Sequence, residues 1–98
     1  MVFEDGQVKE IKIAYIGGGS RGWAWSLMSD LAGNADMSGS VYLYDTDFEA
    51  AQHNEIIGNK MNAAEGAKSR WSYKAVRRIG EALTGADFVI ISILPGTF

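Results

Sequence analysis

The sequence predicts an α/β fold, an open sheet of parallel strands flanked by helices. Three observations predict it. Short apolar segments recur along the chain and alternate with stretches whose apolar residues fall at helical spacing. The first apolar segment stops abruptly in the glycine run Gly17, Gly18, Gly19. The composition, 47% hydrophobic and 21% charged over 98 residues, suits a globular core and no more than one small domain.

Ile11 to Ile16 is the first strand, an unbroken apolar run of the kind buried on both faces of a sheet. From Arg21 to Ala32 the period changes, and Ala24, Leu27, Met28 and Leu31 form one helical stripe that Gly33 and Asn34 end. Val41 to Tyr44 is the second strand, closed by Asp45. Thr46 with Glu49 three residues on fits a capping box, so the next helix should open at Asp47 and run to about Ala64. Ala50, Ile57 and Met61 are its core candidates, and Gly58 weakens it by about 1 kcal/mol relative to alanine. After a loop at Gly66 to Ser69, Trp71 to Val76 alternates large and polar residues as a half-buried strand does. Arg77 to Leu83 reads as a short helix ended by Gly85, and Asp87 to Leu94 as the last and most apolar strand. Pro95 and Gly96 turn the chain out of it.

Strands that alternate with helices pair in parallel through right-handed crossovers. The expected strand order is 3-2-1-4, one nucleotide-binding half plus the first strand of the other, an incomplete doubly wound domain. Residues 1–98 are therefore expected to be the N-terminal part of a dinucleotide-binding, Rossmann-like domain whose catalytic remainder lies elsewhere. The outer edge of the fourth strand carries no charge after Asp87, so a homo-oligomer joined through that edge is expected.

The net charge of −3, with no basic block, offers no electrostatic footprint for nucleic acid. The start carries Glu4, Asp5 and Glu10, which excludes a signal peptide there, and no apolar run is long enough to span a bilayer. A cytoplasmic protein with no membrane partner is the expectation. Cysteine is absent, so neither disulfide nor thiolate chemistry is open to the chain.

The strongest chemical signal is Gly17-Gly18-Gly19-Ser20-Arg21-Gly22, a full G-x-G-x-x-G between a strand and a helix. Gly17 permits the tight turn, Gly19 lets a pyrophosphate approach the backbone, and Gly22 lets helix and strand pack closely. Helix N–H groups then face the phosphates, with Ser20 adding a hydroxyl donor. Asp45, at the end of the second strand, can accept the ribose hydroxyls and repel a 2′-phosphate, which favours NAD over NADP. Asp47 is the competing acid, Arg21 can instead favour a phosphate, and the bland reading of Asp45 is a turn residue. Backbone near Ile93 and Pro95 should lie beside the glycine loop and touch ribose or nicotinamide.

The remaining candidates read as structural. Trp23 and Trp25 lie off the helical stripe and fit ordinary packing better than a substrate pocket. His53, the one histidine, suits a helix surface rather than a metal site, and Glu49, Glu55 and Glu65 suit a solvated face. No catalytic and no metal-ligating residue is assigned within the chain.

Ile13 to Ser20, Leu43 to Asp45 and Ala86 to Ile90 together resemble the amino-terminal domain of glycoside hydrolase family 4. The resemblance covers nearly the whole chain. Trp23 to Leu31, Asp47 to Asn59 and Ile90 to Gly96 look most like the α-galacturonidase branch. It implies a glycosidase outside the two-carboxylate scheme. In that family the sugar gives a hydride at C3 to NAD, the C2 proton becomes acidic, and a divalent metal, usually manganese, steadies the enolate as the glycosidic oxygen leaves. Water then adds and the hydride returns. The family's metal ligands, a cysteine and a histidine, lie beyond the matched region, and His53 does not match the histidine. Members acting on 6-phospho-sugars carry an arginine near the end of the fourth strand, where this chain has Leu94, which implies a non-phosphorylated sugar. The alternatives are part of an NAD-dependent 2-hydroxy-acid dehydrogenase and a free-standing NAD-binding module.

Overall fold

The computed structural model describes residues 1–4, 6–17, 27, 30–31, 36–63 and 71–91. The described elements are β1 (Val2–Glu4), β2 (Gln7–Ile16), β3 (Met37–Tyr44), α1 (Phe48–Ala63), β4 (Trp71–Val76), α2 (Ile79–Leu83) and β5 (Phe88–Ile91). Leu27, Asp30 and Leu31 are helical as well, inside the span predicted for the first crossover helix.

Strand β2 pairs in parallel with β3 on one side (Ile13 opposite Val41, Ile16 opposite Tyr44) and with β5 on the other (Ile13 opposite Phe88, Ile16 opposite Ile91). Strand β4 pairs in parallel with β3, Tyr73 opposite Val41. The parallel order is β4-β3-β2-β5, which is the expected 3-2-1-4. The apolar run Ile11 to Ile16 thus lies inside the sheet, as its composition requires.

The strands are longer at their starts than predicted. Strand β2 begins at Gln7, where β1 folds back on it as an antiparallel hairpin, and β3 begins at Met37, the register partner of Val8. Gly6, at φ 76, makes the turn. The polar sequence of Gln7 to Glu10 hides this extension, since only its backbone is needed for pairing. The β2–β3 register shifts between Val8 and Ile11, and Glu10 takes a left-handed φ of 54 there.

Side chains alternate between two layers. Ile11, Ile13 and Tyr15 of β2, Val41 and Leu43 of β3, and Trp71, Tyr73 and Ala75 of β4 meet Leu31 and Ala51 on one face. Phe48, Ile57 and Met61 of α1, with Leu27, complete that core. Ala14 and Val76 point to the opposite face, where they meet Ala82 of α2. The first two crossovers therefore pack on one face and the third on the other, the doubly wound arrangement in which strand order reverses beside β2.

Two features of α1 differ from the sequence reading. Asp47, not Thr46, caps the helix: its Oδ1 accepts the Ala50 N–H at 3.2 Å and its carbonyl the Ala51 N–H at 3.2 Å. Glu55 is not on a solvated face, since its carboxylate accepts the Ala75 N–H. Asn59 does more: its Oδ1 accepts the Tyr73 N–H at 2.9 Å and its Nδ2 donates to the Tyr73 carbonyl at 3.0 Å. Both side chains thereby satisfy backbone groups on the outer edge of β4. His53 is exposed, in line with a surface role.

Lys12 holds α2 to the sheet. Its ammonium donates to the Glu81 carbonyl at 2.9 Å and to the Thr84 carbonyl, and lies 4.2 Å from the centre of the Tyr42 ring. A cation at helix carbonyls is favoured by the helix dipole. Helix α2 begins at Ile79 rather than Arg77, and Gly85, at φ 70, ends it in the left-handed conformation that glycine adopts without strain. At the far side of the sheet, Asp87 exchanges two hydrogen bonds with Lys12, its N–H to the Lys12 carbonyl and its Oδ2 from the Lys12 N–H, both 2.8 Å. It thus fills the step on β2 between β1 and β5. Beyond it, Phe88 (53% exposed), Val89 (50%) and Ile91 (65%) leave an apolar strand open to solvent.

Gly58 is fully buried, and a Cβ there would lie 2.6 Å from the Tyr73 ring. Helix propensity favours alanine by about 1 kcal/mol, but overpacking a closed contact costs about 1–3 kcal/mol, so the contact decides the sign. Gly58→Ala is expected to lower the urea unfolding midpoint; a midpoint equal to or above the parent's would show that the ring moves aside freely.

Burial also pushes the Tyr73 hydroxyl up to about 12 from its ordinary value of 10. The folded state thus holds its proton longer than the unfolded chain. The associated stability is fully present below pH 10 and lost as pH rises toward 12. Tyr73→Phe should flatten this part of the stability profile, measured by unfolding at fixed pH steps between 9 and 12.

Candidate functional site

The carboxyl ends of parallel strands in an open sheet face one way, and ligands bind there, at the point where strand order reverses. In this chain that point is the junction of β2 with β5, with β3 as the next strand. Gly17 follows β2 directly. It sits at φ 92, a conformation that side chains rarely adopt, and its N–H donates to the Tyr44 carbonyl at 2.8 Å. The turn after β2 is therefore pinned to the end of β3, where the first glycine of a phosphate loop is needed. Gly19, Ser20, Arg21 and Gly22 lie outside the described residues, as do Ile93, Leu94 and Pro95 and the two tryptophans Trp23 and Trp25.

Ile16 and Tyr44 are register partners, so Gly17 and Asp45 leave neighbouring strands at the same level. The Asp45 Oδ1 accepts the Asp47 N–H at 2.9 Å and faces the Thr46 hydroxyl at 3.4 Å. This Asx turn fixes the carboxylate relative to the strand end. The two acids flanking Thr46 are thus placed differently. Asp47 is engaged by the helix it caps, while Asp45 stands at the end of β3. The turn-residue reading and the ribose reading of Asp45 are compatible, because the same turn that uses one oxygen also orients the carboxylate.

A further pair at this end of the sheet was not visible in the sequence. The Arg77 guanidinium lies 4.0 Å from the centre of the Phe48 ring. Phe48 opens α1 and Arg77 follows β4, so the contact joins residues 29 apart in the chain that only the sheet brings together.

The described residues bring together a glycine turn at positive φ, a carboxylate held one strand away, and the reversal of strand order beside both, groups whose chemistry suits a dinucleotide. Among the described residues no group of three His, Cys, Asp or Glu is placed to hold a metal ion. Likewise no described helix is long and apolar enough to cross a membrane.

Fold and site together define an α/β protein of the Rossmann type, with a glycine turn and a carboxylate at the carboxyl end of its parallel sheet. A family model described as family 4 glycosyl hydrolase matches residues 12–98. The chain belongs to that family. It is 64% identical over 98 residues to an alpha-galacturonidase of Thermoanaerobacter italicus and 60% identical to one of Thermoanaerobacterium saccharolyticum. All of this chain is matched, against 20% and 21% of those proteins, so it spans about a fifth of the length of these relatives. Within the family the chain falls with the α-galacturonidases.

Solved structures agree. A Bacillus subtilis crystal structure assigned to a glucosidase superposes with a TM-score of 0.80 at 60% identity, over 92% of this chain and 20% of that one. A 6-phospho-alpha-glucosidase from gut microorganisms, crystallised with NAD and glucose-6-phosphate, superposes with a TM-score of 0.63 at 25% identity, over 90% of this chain and 20% of that one.

If Asp45 repels a 2′-phosphate, Asp45→Ala should narrow the preference for NAD over NADP by about tenfold or more, equivalent to about 1.4 kcal/mol. Titration calorimetry with both nucleotides measures it, and an unchanged ratio would reduce Asp45 to a turn residue.

Proposed function

We propose that residues 1–98 form the front part of the NAD-binding domain of an α-galacturonidase, acting on non-phosphorylated α-galacturonides, with the catalytic remainder outside this chain. The observation that carries the reading is the turn at Gly17 held against the end of β3, next to Asp45. The identity to alpha-galacturonidases, and the NAD in the related 6-phospho-alpha-glucosidase structure, support the choice of cofactor and reaction.

On this reading Asp45 accepts hydrogen bonds from the adenosine ribose, Gly17 turns the chain away, and Gly19 admits the pyrophosphate. Ser20 and the helix N–H groups bind its oxygens, with Arg21 adding charge, and Gly22 allows close packing. Backbone near Ile93 and Pro95 borders the nicotinamide side. The uncharged Leu94 stands where a phosphate-binding arginine would select a 6-phospho-sugar. The chemistry that bound NAD would supply is reversible hydride acceptance at C3 of the sugar, which would acidify the neighbouring C2 proton for departure of the glycosidic oxygen before water adds and the hydride returns. Manganese, or another divalent metal, would be held by residues outside this chain, which has no cysteine. The open β5 edge of Phe88, Val89 and Ile91 would serve contact with the rest of the protein or with a second copy.

The test is isotopic. At the full length of the relatives, cleavage of an α-galacturonide in D₂O should place deuterium at C2 of the released sugar, and turnover should stop when NAD is stripped. Cleavage without deuterium at C2 would sink the mechanism. Residues 1–98 alone, supplied with NAD and manganese, should release no sugar; measurable release would show that the catalytic groups lie within this chain.

A further inference from the structure

The carboxyl end of the sheet presents three consecutive positions. Gly17 leaves β2, Asp45 leaves β3 and Arg77 leaves β4. Ile16 pairs with Tyr44 and Tyr44 with Val76, so the three residues emerge at one level of the sheet. Neighbouring strands are about 4.8 Å apart. A dinucleotide whose pyrophosphate lies at Gly17 and whose ribose lies at Asp45 is therefore laid out across the strands. Its next group, the base, falls toward the end of β4.

What stands there is a guanidinium 4.0 Å from the Phe48 ring centre. Phe48 is half-buried and packed against the main core, so it is a fixed support. Arg77 is exposed, and among the described residues it has no carboxylate partner. An arginine in a salt bridge would present its edge to the partner. One resting on an aromatic ring keeps the opposite side of its flat, delocalised cation available, and such a surface stacks well on a second π-system. Phe48 also begins three residues after Asp45, so the ribose carboxylate and the stack share one short segment, held by the Asx turn and the Asp47 cap.

We infer that Arg77, supported by Phe48, is the platform on which the adenine of the dinucleotide stacks. The inference rests on the NAD reading above and deepens it by naming the residue that grips the base. Stacking reads the face of a base and not its hydrogen-bonding edge. The site should therefore hold hypoxanthine in place of adenine with nearly the same affinity.

The experiment is titration calorimetry on the protein at the full length of its relatives, with ADP-ribose, nicotinamide mononucleotide and NADP as probes. Arg77→Ala should weaken ADP-ribose by roughly fivefold to tenfold and leave nicotinamide mononucleotide unchanged. Arg77→Lys keeps the charge but loses the flat surface, so it should remain weakened. Phe48→Leu should loosen ADP-ribose by a smaller factor, because the guanidinium loses its support while the core keeps an apolar side chain. Full recovery by Arg77→Lys would show a simple charge effect and overturn the platform, as would unchanged ADP-ribose binding in Arg77→Ala. Weakening of NADP alone would assign Arg77 to a phosphate instead and also overturn it. Failure of the unsubstituted protein to bind ADP-ribose or NAD at all would refute the underlying NAD reading, an outcome distinct from all the others.

Discussion

The structure depends on one constraint, that β2 is hydrogen-bonded in parallel on both sides. The crossovers that parallel pairing requires pack on both faces of such a strand, so Ile11, Ile13, Ala14 and Tyr15 are all buried. Parallel pairing on both sides also sends β3 and β5 out of the sheet at the same end as β2. The turn at Gly17 and the carboxylate of Asp45 are neighbours for that reason, although 28 positions separate them in the chain. The hydrogen bond from the Gly17 N–H to the Tyr44 carbonyl ties the two strand ends together.

What was legible in the sequence follows from this constraint. Apolar runs reveal the parts of strands buried on both faces, so Ile11 to Ile16 and Val41 to Tyr44 could be read, and alternation exposed Trp71 to Val76. The strand order followed from the alternation of strands with helices, and the glycine motif stood out because its residues are consecutive and directly follow an apolar run. The first residues of β2 and β3 escaped because backbone pairing there is independent of side-chain character, and β1, at three residues, is too short to leave a periodic signal. Thr46 was a reasonable cap by spacing, but Asp47 competes at the next position and its carboxylate reaches the Ala50 N–H. Glu55 looked solvated because its partner is a backbone N–H 20 residues away, and the Arg77–Phe48 stack is likewise a product of tertiary structure.

Among the described residues, three charged side chains finish what the backbone leaves incomplete. The Lys12 ammonium takes the last carbonyls of α2, the Asp87 carboxylate takes a β2 N–H where the neighbouring strand changes, and the Glu55 carboxylate takes an N–H of β4. Each converts a group that would be costly to leave unpaired into a charge-assisted hydrogen bond. None of these roles is visible from charge pattern alone, since each partner is a main-chain atom.

The pairing of Asn59 and Glu55 with the edge of β4 has a consequence for the order in which the sheet is made. Their helix precedes β4 in the chain, so a ribosome delivers the cover before it delivers the strand. When Trp71 to Val76 emerge, the groups that close the outer side of that strand are already available, and the interval in which it can recruit a foreign strand is short. Strand β5 is made after both and has no such cover among the described residues. During synthesis the sheet is therefore sealed on one flank first, and any extension, correct or mistaken, has to proceed from the other.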